Sequence, residues 1–91
     1  MNEKEIIEFL ADGEHERWAR WQRYLHSVCV ENKDGSLTIP KEKVDRWTRQ
    51  MNMPYSELTE KEKSSDRELA IMLLNSLKEF IKNCDENDER E

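Results

Sequence analysis

Between His15 and His26 the chain places Arg17, Trp18, Arg20, Trp21, Arg23 and Tyr24, so guanidinium groups, aromatic rings and imidazoles crowd one short stretch. If the stretch is helical, successive residues turn by about 100° and cannot all share a face. Trp18, Trp21 and Leu25 mark one side, and Arg17, Arg20 and Tyr24 mark a neighbouring one. Arg46, Trp47 and Arg49 repeat the theme further on, with the two arginines one turn apart and able to grip a single anion together. Such groups suit a ligand that is both planar and anionic: rings stack on a base, and guanidinium groups engage phosphate through paired hydrogen bonds. The same residues also fit a purely structural role, with tryptophans filling a core and arginine stems packed along its edge. Both readings are open at this point.

Catalysis finds less support. His15 has the chemistry of a general base, yet no serine or cysteine stands at a motif spacing, and with two glycines the chain holds no phosphate-cradling loop. Glu60 and Glu62 suit the start of a helix better than an acid–base pair. The expectation is a non-enzymatic protein without a cofactor. Cys29 and Cys84 form no CxxC pair and have no finger-like spacing to His15 or His26, which argues against zinc and for reduced thiols in a cytoplasmic setting. No apolar run approaches the length that spans a membrane, and no secretory leader is visible.

Charge narrows the partners. The formal net charge is −6, but Asp85 to Glu91 alone carry five acids against Arg90, and residues 41–51 are net basic through Lys41, Lys43, Arg46 and Arg49. Such segregation around an acidic average disfavours duplex nucleic acid and leaves a small anionic ligand possible.

The elements that must position these groups follow from apolar spacing. Asn2, with Glu5 three residues on, caps a first helix through Ile6, Ile7, Phe9 and Leu10, which Ala11-Asp12-Gly13 is expected to kink or break. A second helical stretch runs from Glu14 to about Val30. Asn32 to Ser36 reads as a reversal with glycine in the left-handed region, followed by an extended piece at Leu37-Thr38-Ile39. Pro40 opens a helix over residues 40–51, Met53-Pro54 ends it, and Ser56 or Thr59 caps the last element. That element carries Leu69, Met72, Leu73, Leu77, Phe80 and Cys84 at spacings of three and four. The fold class expected is all-α: a compact bundle of three to four helices forming one domain over residues 1–84, with a disordered acidic tail at 85–91. Its expected core is Leu69, Leu73, Leu77, Phe80, Leu25, Val28 and Trp18. A chain this short encloses little, so a homo-oligomer is a natural expectation.

The run Pro54-Tyr55-Ser56-Glu57-Leu58-Thr59-Glu60-Lys61-Glu62-Lys63-Ser64-Ser65-Asp66-Arg67 resembles the signature of the ryanodine-receptor-type (RyR) domain family, with its proline-tyrosine pair, leucine, acid-x-acid-lysine stretch and aspartate-arginine pair. His15-Glu16-Arg17-Trp18-Ala19 resembles an early segment of the same family. The family's glycine-tryptophan-x-tyrosine-glycine segment is missing, and Cys29 to Met53 stands where it would be. The resemblance implies a divergent, small stand-alone bacterial or phage member that binds a nucleotide-derived signalling molecule. It selects His15, Trp18, Tyr55 and Arg67 as ligand-pocket candidates, while Arg20, Arg46, Trp47 and Arg49 come from the residues alone. Asp66 and Arg67 can alternatively tie the first and last helices together through His15 or the Trp18 indole. The leading expectation is a binding module able to sequester such a nucleotide. The alternative is a helical protein-interaction or homo-oligomerisation module presenting Trp21, Trp47, Ile71 and Leu74 as an apolar patch.

Overall fold

The computed structural model describes residues 2–90, with side chains through Cys84. The elements run α1 (Glu3–Val28), β1 (Val30–Glu31), β2 (Leu37–Thr38), α2 (Lys41–Met51), a 3-10 turn (Tyr55–Glu57) and α3 (Glu60–Arg90). The protein is mostly helical but not purely all-α, because Val30, expected to end a helix, pairs with Thr38 of β2 instead. The tail expected to be disordered, 85–91, lies outside the residues described with side chains.

At the start of α1 the backbone N–H of Glu5 donates to Asn2 Oδ1 at 2.8 Å, which is the cap the sequence predicts. The break expected at Ala11-Asp12-Gly13 does not occur, and α1 runs straight through. One glycine costs a helix about 1 kcal/mol, too little to interrupt a segment whose flanks are strong helix formers. The chain divides into two compact units, one of Met1–His15 with Glu60–Glu91 and one of Glu16–Thr59.

The first unit is an antiparallel helix pair. Phe9 of α1 stacks on Phe80 of α3 with centroids 4.5 Å apart and planes 22° from parallel. One turn further along α1, a Cβ on Gly13 would lie 3.9 Å from Leu73 Cδ1, so α3 runs in the opposite direction. These contacts define a single seam between the two segments.

The second unit turns on a hairpin. Val30 pairs with Thr38 and Glu31 with Leu37, and Gly35 at φ +88° makes the left-handed reversal expected of it. Asn32 fastens the loop, accepting from the Gly35 N–H through its backbone carbonyl and donating through Nδ2 to Ser36 Oγ and Thr38 Oγ1, both at 3.0 Å. Pro40 sits at the N-cap of α2 with its carbonyl accepting from Lys43 and Val44. Asn52 closes that helix by donating through Nδ2 to the Thr48 carbonyl. Extended backbone at Pro54 then leads into the 3-10 turn.

Neither unit encloses a core. Among the described residues none is buried, whether apolar or polar. Leu69, Phe80, Leu25 and Val28 are half-buried, Leu73 and Leu77 are exposed, and Trp18 is 60% exposed. The expected core is therefore not realised within the chain. The physical reason in the first unit is plain: two helices meet along one line, and enclosing a side chain requires a third surface.

Candidate functional site

Two arrangements could bind something, one in each unit. In the second unit Trp47 of α2 meets Trp21 of α1 edge to face, centroids 5.2 Å apart and planes at 66°. Tyr24 completes the group, 5.5 Å from Trp21 and 6.5 Å from Trp47. The spacing of Trp21 and Tyr24 puts both on the α1 face that α2 covers, and edge-to-face geometry brings a positive ring edge to a negative ring face. Of the predicted site residues this cluster includes Trp47. Trp21, expected on the core side, and Tyr24, assigned to the arginine side, join it because one turn of α1 separates them.

The other candidates are distributed as follows. His15 and Arg67 belong to the first unit and are exposed. Trp18, Arg20, Arg46, Arg49 and Tyr55 belong to the second and are exposed as well. Arg46 and Arg49 stand one turn apart on α2 as expected, and Arg49 Nη1 lies 3.4 Å from Met53 Sδ. Arg67 Nη1 donates to Glu60 Oε2 at 3.2 Å, an ion pair two turns apart on α3, and Lys63 Nζ stands 3.9 Å from the other oxygen of Glu60. Both partners of the Arg67 pair are well exposed, so the pair is worth about 0–1 kcal/mol.

The first unit has two sides, and helix geometry assigns residues to each. At about 100° per residue, Ile6, Leu10 and Ile7 lie roughly 60°, 100° and 160° round α1 from Phe9. Counted in the same sense from Phe80, Leu77, Ile81 and Leu74 lie roughly 60°, 100° and 120° round α3. In an antiparallel pair the same sense of rotation turns both helices toward one side, so these six side chains form one aliphatic face. It is open: Ile7 is 54% exposed, Leu10 50%, Leu74 48% and Ile81 39%. Leu74 was expected in an exposed patch, whereas Ile81, Leu10 and Ile7 were not singled out. The signal was there in the breadth of the α3 apolar arc, which runs without interruption from Leu69 through Leu74 and exceeds what one partner helix covers.

The opposite side of the seam is rimmed by charged residues, while the groove surface itself is mostly apolar. An open groove of about 480 Å³ is lined by Lys4, Glu5, Glu8, Phe9, Asp12 and Phe80. None of the predicted site residues lines it, and its carboxylates repel a phosphate.

Among the described residues no group of histidine, cysteine and carboxylate side chains could hold a metal, and no helix is long and apolar enough to cross a membrane. Cys29 and Cys84 are free thiols. An electrostatic perturbation sits in the hairpin loop, where the Ser36 hydroxyl donates to Asp34 Oδ1 at 2.6 Å and the Ser36 N–H at 2.9 Å. These bonds favour the ionised form and hold the Asp34 carboxyl below its ordinary 3.8. Compared with known proteins, the chain matches no family model, no curated protein and no solved structure.

Proposed function

We propose that the chain is a helical protein-interaction module that docks through the aliphatic face shared by α1 and α3. The observation that carries this reading is that six aliphatic side chains stand open on one side of a helix pair in which no described residue is buried. Water-exposed apolar area of that extent on two rigid elements favours covering by another surface. A photo-crosslinking amino acid at Leu74 tests it in cells: a discrete adduct is expected there and not from Glu79, which faces the charge-rimmed side. Equal labelling from both positions, or none from Leu74, refutes docking through this face.

A second reading, capture of a nucleotide-type anion, draws on the Trp21–Tyr24–Trp47 cluster, on Arg46 and Arg49 carried by the same helix as Trp47, and on the resemblance of Pro54 to Arg67 to the RyR-type signature. Here a base would stack on an open indole face while the α2 arginines engage phosphate. Calorimetric titration with cyclic di- and trinucleotides, ADP-ribose and NAD tests it. Binding that is lost in Arg46→Ala/Arg49→Ala supports the reading, and absence of heat across the panel removes it.

A further inference from the structure

Resting on the docking reading above, we infer that the occupant of the aliphatic face is a second copy of this chain, related by a two-fold axis parallel to the helices. Three features of the first unit lead there. The first is area. The six side chains expose about 500 Å² of aliphatic surface, and with the polar share usual for homodimers the footprint approaches the ~800 Å² per partner of a standard interface.

The second is layering. Phe9 reaches Phe80 and Gly13 lies beside Leu73, and midway between the registers that these two contacts imply, Ile7 lies near the height of Ile81 and Leu10 near that of Leu77. These two levels each offer one aliphatic residue from each helix, while Leu74 lies level with Gly13 and Glu14. Face-to-face stacking of two such pairs makes four-residue layers, the construction of a four-helix bundle.

The third is charge at the rim. Glu3 and Glu14 edge the α1 half of the face, and Lys78 edges the α3 half together with Arg67 in its ion pair with Glu60, all exposed. A two-fold axis parallel to the helices sets α1 over the partner's α3, antiparallel, so each acidic edge meets a basic one. An axis perpendicular to the helices sets α1 over the partner's α1 and brings acid to acid. Glu14 and the partner's Lys78 then stand about 7 Å apart along the axis at 1.5 Å per residue, within reach of two long side chains.

Light-scattering mass measured from about 1 to 100 µM, with Glu14→Lys, Lys78→Glu and the double exchange, tests the inference. The expected mass is twice the 11.0 kDa of one chain. Each single reversal is expected to weaken the dimer about 2–30-fold, since two rim pairs are lost per dimer, and the double exchange is expected to restore it. A mass of one chain at 100 µM overturns self-docking, and a Leu74 adduct of some other mass then leaves the docking reading standing. A dimer in which the two reversals add, instead of cancelling, overturns the parallel axis.

Discussion

Replacing Leu74 and Ile81 together by serine separates an open face from a covered one. In a lone chain about half of each side chain already meets water, so the change should cost a fixed amount that does not depend on protein concentration. When the face is covered, the 48% of Leu74 and 39% of Ile81 that stand exposed are removed from water. At about 25 cal/mol per Å² and roughly 180 Å² per side chain, that is close to 2 kcal/mol each, or about 8 kcal/mol over the two copies of a dimer. Association never realises the whole of such a sum, yet a third of it is still about an 80-fold change in Kd. Urea unfolding followed by helical circular dichroism at several protein concentrations reads this directly. The unsubstituted chain should gain about 1.4 kcal/mol per tenfold rise in concentration, a midpoint shift of order 0.5 M, and the serine variant should show none. A concentration-independent midpoint in the unsubstituted chain refutes the reasoning.

Gly13→Ala should stabilise the chain by about 0.5–1 kcal/mol, because the new methyl meets Leu73 at ordinary contact distance while α1 gains helix propensity; a lowered melting temperature would show the approach to be tighter than 3.9 Å. A double-mutant cycle on Phe9→Leu and Phe80→Leu should return a coupling of about 0.5–1.5 kcal/mol for the stacked rings, and additive losses would mean the stack is not formed. Asp34, its carboxyl held down by Ser36, stabilises the hairpin loop above the ordinary carboxylate value of 3.8, and this contribution is lost as pH falls through its lower folded value. The Asp34 carboxyl resonance should therefore titrate below 3.8 and return toward it in Ser36→Ala; an unmoved midpoint in that variant would discard the loop hydrogen bonds as the cause.

Local signals in this chain were easy to read and long-range ones were not. The Asn2–Glu5 cap, the Gly35 reversal, the stop at Met53-Pro54 and the helices around Val44 and Leu73 all depend on neighbours within a few residues, and each is where the spacing puts it. Strand β1 was missed because Val30 and Glu31 continue the pattern of α1, and only Leu37 and Thr38 across the loop decide their state. The assumption that apolar stripes become a core failed at Trp18 and Leu77, since a stripe says that a residue seeks cover without saying whether its own chain supplies it. Within the candidate sites, Trp21 and Trp47 were identifiable from their type and grouped in one apolar patch, whereas Tyr24, assigned to the arginine side, became legible as their partner only once α2 lay against α1.

The helix pair draws on both extremities of the chain, with Glu16–Thr59 inserted between its halves. During synthesis the hairpin and the aromatic trio emerge complete, able to settle through short-range contacts, while Ile6, Phe9 and Leu10 wait uncovered for a counterpart more than sixty residues downstream. The ribosome thus releases the stripe from Ile6 to Leu10 unprotected until Phe80 has emerged, which leaves those residues open to chaperones in the meantime.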